Sequence, residues 1–260
     1  MKVVSVSNLK GGVGKTTLSV VLGRHVASMG KKVLLIDADP QGTASLLVPE
    51  YLLDEHGLPS LGIQRLIVEY LNNRLESRVV AENICQVEEN FYILPNTIES
   101  IKHDHELMTR GYHPYFFRVV LKSIPVDFDL VLFDCPPYFS AYTLSSWYAA
   151  EYLLIPAEAS IQAVPGIDVV FYFIRQYSIA TDIAFRRIII VPTKVKNTKI
   201  SRSAHEEIKK AFAEFVTEYH IPFTENMNKL FAGQERLANG NLRTRMVLKA
   251  VEEIITRLEV

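Results

Sequence analysis

The chain has 260 residues, with 28 Lys and Arg against 29 Asp and Glu, so it is long enough to bury a substantial core and is not broadly basic. Any nucleic-acid contact must come from a local patch, or from one completed by a second subunit. Cys85 and Cys135 are too few and too far apart for a disulfide framework or a zinc site, and the apolar runs "WYAAEYLLIPA" and "VVFYFI" fall short of the roughly 20 residues of a bilayer span. The expectation is a soluble protein of a reducing cytosol. At the start of the chain, Lys10 and the glycines interrupt the apolar stretch that a secretory signal would need.

In chain order, the β-branched run Val3–Ser7 predicts a strand, and "TTLSVVLGRHVASMG" from Thr16 to Gly30 has helical spacing. Between them, "NLKGGVGKTT" has the context of a phosphate-binding loop. Gly11, Gly12 and Gly14 leave no Cβ in the way, so successive N–H groups can point at phosphate oxygens, and the helix that begins near Lys15 adds the favourable end of its dipole. Lys15 would reach the β- and γ-phosphates and the Thr16 hydroxyl would ligate Mg2+. The pattern is a variant: Leu9 stands where a glycine is usual, and a second lysine, Lys10, opens the loop.

A second buried strand, Val33–Ile36, carries Asp37 and Asp39 to its carboxyl end, the edge where open α/β sheets bind ligands. Residues 48–89 read as irregular apart from the helical "LGIQRLIVEYL". "FYILPNT" predicts a strand ending at Pro95, and "YFFRVVLKSI" a helix. In "HDHE", His103 and His105 stand two apart on a helix and face different ways, which argues against a metal site. Strand Leu130–Phe133 then delivers Asp134 to the same sheet edge, either as a second metal-site carboxylate or as the cap of a turn. Trp147 fits core or interface equally, and Phe171, Tyr172 and Phe173 read as core packing. "EYLLIPAEAS" and "FRRIIIVPTKVK" predict two strands that each end at a proline. "EEIKKAFAEFVTEYH" predicts an amphipathic helix, "IPF" an extended piece, and "RTRMVLKAVEEIITRLEV" a last helix with Val247, Ala250, Val251, Ile254 and Leu258 on one face. The alternation of strands and helices, without internal repeats, predicts one α/β domain over 1–260.

On "KGGVGKTT" at 10–17, "LLIDADPQG" at 34–42, "FDCPP" at 133–137 and "LLIPAEAS" at 153–160, the sequence resembles the ParA/MinD family of deviant Walker A ATPases. It is most similar to the ParA (Soj)-type DNA-partition ATPases. The resemblance implies a P-loop NTPase domain, a mostly parallel twisted sheet with helices on both faces, using ATP and Mg2+. It implies that Gly11, Gly12, Val13, Gly14, Lys15, Thr16 and Thr17 hold the phosphates, with Thr17 at the α-phosphate. Thr16 would hold Mg2+ directly and Asp134 through water; Asp39 would orient the attacking water; Pro192 and Thr193 would meet adenine. Lys10 would reach across a homodimer to the nucleotide of the other subunit. The role of Asp37 stays open between catalysis and satisfying loop N–H groups.

By the same resemblance, the ATP-bound dimer would bind DNA without sequence preference, and slow hydrolysis stimulated by a ParB-like partner would release it, in plasmid or chromosome partition on the cytoplasmic nucleoid. Candidate DNA cations are Lys196, Lys199, Arg202, Lys209, Lys210, Lys229, Arg243 and Arg245; Lys229 falls about where the family has a DNA-contacting arginine. The chain starts at the first strand, so no N-terminal helix-turn-helix domain, and hence no operator recognition, is expected. The alternatives are a MinD-type membrane-surface ATPase and a ParA-like positioner of a protein cargo. Glu252, Glu253 and Glu259 in the last helix argue against stable membrane association. A nitrogenase-type iron protein would need cysteines placed to share a cluster, a demand that Cys135, beside Asp134, and Cys85, in the irregular region, do not suit.

Overall fold

Short, almost continuously apolar runs become the strands of a single sheet in the computed structural model, which describes residues 1–57, 59, 62–109, 114–180, 183–234, 237 and 242–260. The strands are β1 (Lys2–Val6), β2 (Val33–Asp37), β3 (Cys85–Glu88), β4 (Phe91–Leu94), β5 (Leu130–Asp134), β6 (Tyr152–Glu158) and β7 (Arg187–Thr193), in the spatial order β3-β4-β2-β5-β1-β6-β7. All neighbours pair in parallel except β3 and β4, an antiparallel hairpin turned at Asn90 with φ 59°. Every residue of β2 and β5 is buried, as parallel strands covered on both faces require.

Side chains alternate between the two faces. Val4, Val6, Leu35 and Leu132 pack with α1 (Lys15–Ser28) and α10 (Leu242–Leu258); Val3, Leu34, Ile36 and Phe133 pack with α2 (Ile63–Leu71), α5 (Phe116–Ser123) and α6 (Ala141–Ala149). Leu153, Ile155 and Ile190 continue that second face under α7 (Ala163–Ala180) and α8 (Lys199–Ala211). The mostly parallel α/β sheet with helices on both faces is therefore the observed architecture. The short helices α3 (Ser77–Glu82), α4 (Ile101–Thr109) and α9 (Asn226–Phe231) lie around it. Among the described residues no helix is long and apolar enough to cross a membrane.

Gly23 brings α1 close to the sheet: a Cβ there would lie 2.7 Å from the Phe91 ring. Gly23→Ala should lower unfolding free energy by about 1–2 kcal/mol, overpacking outweighing the gain in helix propensity, as read by urea denaturation.

Several boundaries differ from expectation. β6 and β7 do not end at their prolines but run through them. The carbonyl of Pro156 faces the β1 side beyond the end of β1, where the Asn8 amide donates to it at 2.8 Å; the carbonyl of Pro192 faces the outer edge, where the N–H of Ile221 donates at 2.9 Å. Each proline nitrogen lies on the same side of its strand as its own carbonyl, away from the β6–β7 pairing, which therefore runs on through both residues. α8 starts at Lys199, capped by the Thr198 side chain, and stops at Ala211. Phe212 and Phe215 then turn in onto Phe171, and Thr217 hydrogen-bonds Ile190, so residues 215–223 run along the edge of β7 instead of continuing the expected helix. β3 was not anticipated.

Trp147 is core, edge-on to Phe139. Phe171 and Phe173 pack inward, whereas Tyr172 is exposed. In the "HDHE" segment of α4, Asp104 accepts the N–H of Ala141 at 2.7 Å and so serves the start of α6.

Candidate nucleotide site

The carboxyl ends of β1, β5 and β2 stop side by side: Val6 is in register with Asp134, and Asp134 with Asp37. Residues 7–14 leave β1 over this edge. Gly12 and Gly14 have φ of 73° and 91°, and Gly14 caps α1 with no side chain, so the first N–H groups of the helix stay available to an anion. The loop is tied down from two sides. Asn8 accepts the N–H of Lys10 at 3.0 Å while donating to Pro156, and the Thr193 hydroxyl donates to the carbonyl of Val13 at 2.8 Å. Lys15 is buried, and its ammonium donates to the Lys10 carbonyl at 3.2 Å. Burial lowers its pKa, opposed by Asp134, Cys135 and Asp39.

Asp134 is fully buried. One oxygen accepts the Ser19 hydroxyl at 3.3 Å; the other, among the described residues, has no partner. Burial pushes its pKa up to about 7 against the pull of the Thr16 hydroxyl and Lys15. A buried, under-partnered carboxylate beside a threonine hydroxyl at a helix start is an oxygen donor set that suits Mg2+. Asp37 differs. One oxygen accepts the N–H of Asp39 at 3.2 Å, and the other accepts both the N–H and the hydroxyl of Ser45, at 2.8 and 2.7 Å. Asp37 therefore serves loop donors. Asp39 accepts the N–H of Gln41 at 2.9 Å, and burial raises its pKa.

A cavity of about 530 Å³ opens over this edge, lined by Gly11–Leu18, Asp39, Thr43 and Pro137 on one side and by Thr193, Lys194 and most of the stretch from Ile221 to Asn228 on the other. Pro192 is not among its described lining residues, its carbonyl being engaged by Ile221. The wall from Ile221 to Asn228 was missed in the sequence, where "IPF" read only as an extended piece; its proline after a short β run was the available signal. Ser19 and Ser45 were also missed, because a serine inside a helix or a 3-10 turn has no pattern of its own.

Lys10 stands outside the cavity lining. Its ammonium lies 3.3 Å from the Ser160 hydroxyl, in the turn after β6, next to Ile161, which is 77% exposed. The candidate DNA cations divide. Lys196 covers the ring of Phe223, a cavity residue, and Lys199 and Arg202 are exposed on the first turn of α8. Val195 pairs with Pro222, and Asn226 of α9 donates to Thr244 of α10 at 3.2 Å, so Lys229, Arg243 and Arg245 lie on elements joined to the same wall. Lys209 and Lys210 are at the other end of α8, roughly 15 Å along its axis from Lys199.

A glycine loop feeding a helix, a buried lysine at its start and acids on the neighbouring strand ends define a P-loop NTPase. The chain matches the AAA domain family model over residues 1–186 and belongs to that family, as a ParA/MinD-type member. It is 27% identical over 223 residues to the sporulation initiation inhibitor protein Soj of Bacillus subtilis, covering 85% of this chain and 84% of Soj. It is 33% identical over 167 residues to the maintenance of carboxysome distribution protein A of Synechococcus elongatus, covering 64% of this chain and 62% of that protein. In fold it matches an ATP complex of a Cyanothece McdA variant with a TM-score of 0.82, at 23% identity, over 100% of this chain and 97% of the other.

Proposed function

We propose that residues 1–260 act as one ParA-type ATPase domain that dimerises around ATP, binds DNA without sequence preference in that state, and lets go on hydrolysis. The observation that carries this reading is the division of labour between the two lysines. Lys15 occupies the loop and lines the cavity, whereas the half-buried Lys10 is absent from the cavity lining and its ammonium meets Ser160, whose chain neighbour Ile161 is exposed. A cation held by Ser160 outside the lining of its own cavity, close in sequence to an exposed isoleucine, suits a partner subunit's nucleotide.

In this reading the N–H groups of residues 11–17 and the Lys15 ammonium hold the phosphates, and Thr193, Lys194 and the wall from Ile221 to Asn228 receive the base. Thr16 and Asp134 hold Mg2+, which when bound neutralises charge on the phosphates. Asp39 orients a water in line with the terminal phosphorus; the oxygen–phosphorus bond it makes replaces the bond to the bridging oxygen of ADP. Lys10 of the second subunit stabilises the charge that develops on the transferring group, as an arginine finger does. Lys196, Lys199, Arg202, Lys229, Arg243 and Arg245 supply DNA contacts, with Lys209 and Lys210 the weaker candidates because they lie apart.

The MinD-type alternative asks the last helix to lie on lipid, but its stripe of Val247, Ala250, Val251, Ile254 and Leu258 is spent on the core, and Glu253 accepts the N–H groups of Glu218 and Tyr219. Positioning of a protein cargo keeps a place beside plasmid or chromosome partition, because of the likeness to the carboxysome-distribution protein. A ParB-like activator would suit either. The test is paired co-sedimentation with ATP and Mg2+. Random duplex should pellet the protein at 50 mM salt and lose it by 200 mM, since several phosphate contacts cost about 10³-fold or more in affinity over that range. Anionic vesicles should not pellet it. Vesicle pelleting without DNA pelleting would replace this reading with the membrane one.

A further inference from the structure

Ser45 carries no recognisable motif, yet three elements meet at its side chain. It sits buried in the 3-10 turn Ala44–Leu47 that follows the Asp39 loop. Its hydroxyl donates to Asp37 at 2.7 Å and accepts the N–H of Asn96, just beyond β4, at 2.8 Å. Its own N–H donates to the same Asp37 oxygen at 2.8 Å, while the other oxygen holds the N–H of Asp39. One hydroxyl thus joins the exits of β2 and β4 to the loop between them. Gly42 fits this closeness: with φ at +65°, a Cβ there would lie 2.9 Å from the Asn96 carbonyl oxygen, which a side chain could not tolerate. The three donors on Asp37 also explain why two strand-end acids in register have different surroundings: Asp37 is committed to the loop, and Asp134 keeps an oxygen that has no partner among the described residues.

We infer that Ser45 is a positioning residue for hydrolysis: its hydroxyl latches Asp37, and Asp37 fixes the backbone at Asp39, so that the Asp39 carboxylate stands at the phosphate cavity before nucleotide enters. This rests on the assignment of Asp39 made above. A latch acting through Asp37 should affect turnover and the order of the loop, and leave nucleotide affinity alone, because neither Ser45 nor Asp37 lines the cavity.

The experiment compares wild type, Ser45→Ala, Ser45→Thr and Asp39→Ala. Phosphate release gives kcat, a fluorescent ATP analogue gives affinity, and amide hydrogen exchange of the nucleotide-free proteins reports on residues 39–42. Ser45→Ala should lose about 10- to 100-fold in kcat, the usual scale for groups one shell from the chemistry, with unchanged analogue affinity and faster exchange at Asp39 and Gln41. Ser45→Thr, which keeps the hydroxyl, should regain turnover and protection. Wild-type turnover in Ser45→Ala beside a dead Asp39→Ala would overturn the latch alone. Affinity falling together with kcat in Ser45→Ala would also overturn it, marking a merely structural residue. Wild-type turnover in Asp39→Ala would instead remove the catalytic assignment on which the latch depends.

Discussion

Lys10→Ala protein is expected to bind ATP as the wild type does and to remain monomeric with it. The Lys10 ammonium contacts Ser160 outside the cavity, and in the proposed reading phosphate binding within one subunit would be provided by Lys15 and the loop N–H groups, which line it. Removing Lys10 therefore takes nothing from the subunit's own pocket. It takes away the cation that a second subunit would bring to the transferring phosphoryl group, a role for which an arginine finger is worth about 10³–10⁵ in turnover. Sedimentation with a slowly hydrolysed ATP analogue, alongside single-turnover phosphate release, measures both. Dimers of ordinary stability in Lys10→Ala would remove the intersubunit role.

Asp39→Ala is expected to do the opposite: to hold ATP, dimerise and stay on DNA, with hydrolysis reduced by about 10²–10⁴, the usual worth of a positioned acid–base group. Asp39 lines the cavity and is one of three acids near the loop, but Asp37 is occupied by Ser45 and the Asp39 N–H, and Asp134, fully buried beside Ser19, is not among the residues that line the cavity. Neither lines the cavity as Asp39 does. Phosphate release and the lifetime of the DNA complex would be followed together. Normal turnover would take Asp39 out of the mechanism.

The elements that carry chemistry were legible because they obey strong local rules. A glycine loop between a β-branched strand and a helix has few readings, and an apolar strand ending in an acid marks the working edge of a parallel sheet. The sequence leaves open which acid does what, since that depends on hydrogen bonds from residues such as Ser45, distant in pattern though not in space. The strands through Pro156 and Pro192 were cut short because proline usually stops a ladder; the rule fails where the missing N–H lies on the side away from the pairing that continues, here that of β6 with β7. The β3 edge strand was hidden in a four-residue alternation, Cys85 to Glu88, too short to separate from a loop. The helix expected over 206–220 followed a good amphipathic period that tertiary contacts override, Phe212 and Phe215 packing on Phe171 where another helical turn would have begun. The cavity wall opposite the loop was lost for a related reason: residues 221–228 gain their place from the bridge between Val195 and Pro222.

Complementation between two dead variants tests the shared site most directly. Lys10→Ala and Asp39→Ala proteins are mixed without nucleotide, ATP and Mg2+ are then added, and phosphate release is followed. In a mixed pair the Lys10→Ala subunit keeps its own Asp39 and can receive Lys10 from its neighbour, so turnover absent from either parent should return. A mixture as inactive as its parts, with mixed pairs demonstrated by mass, would mean that each lysine serves its own nucleotide.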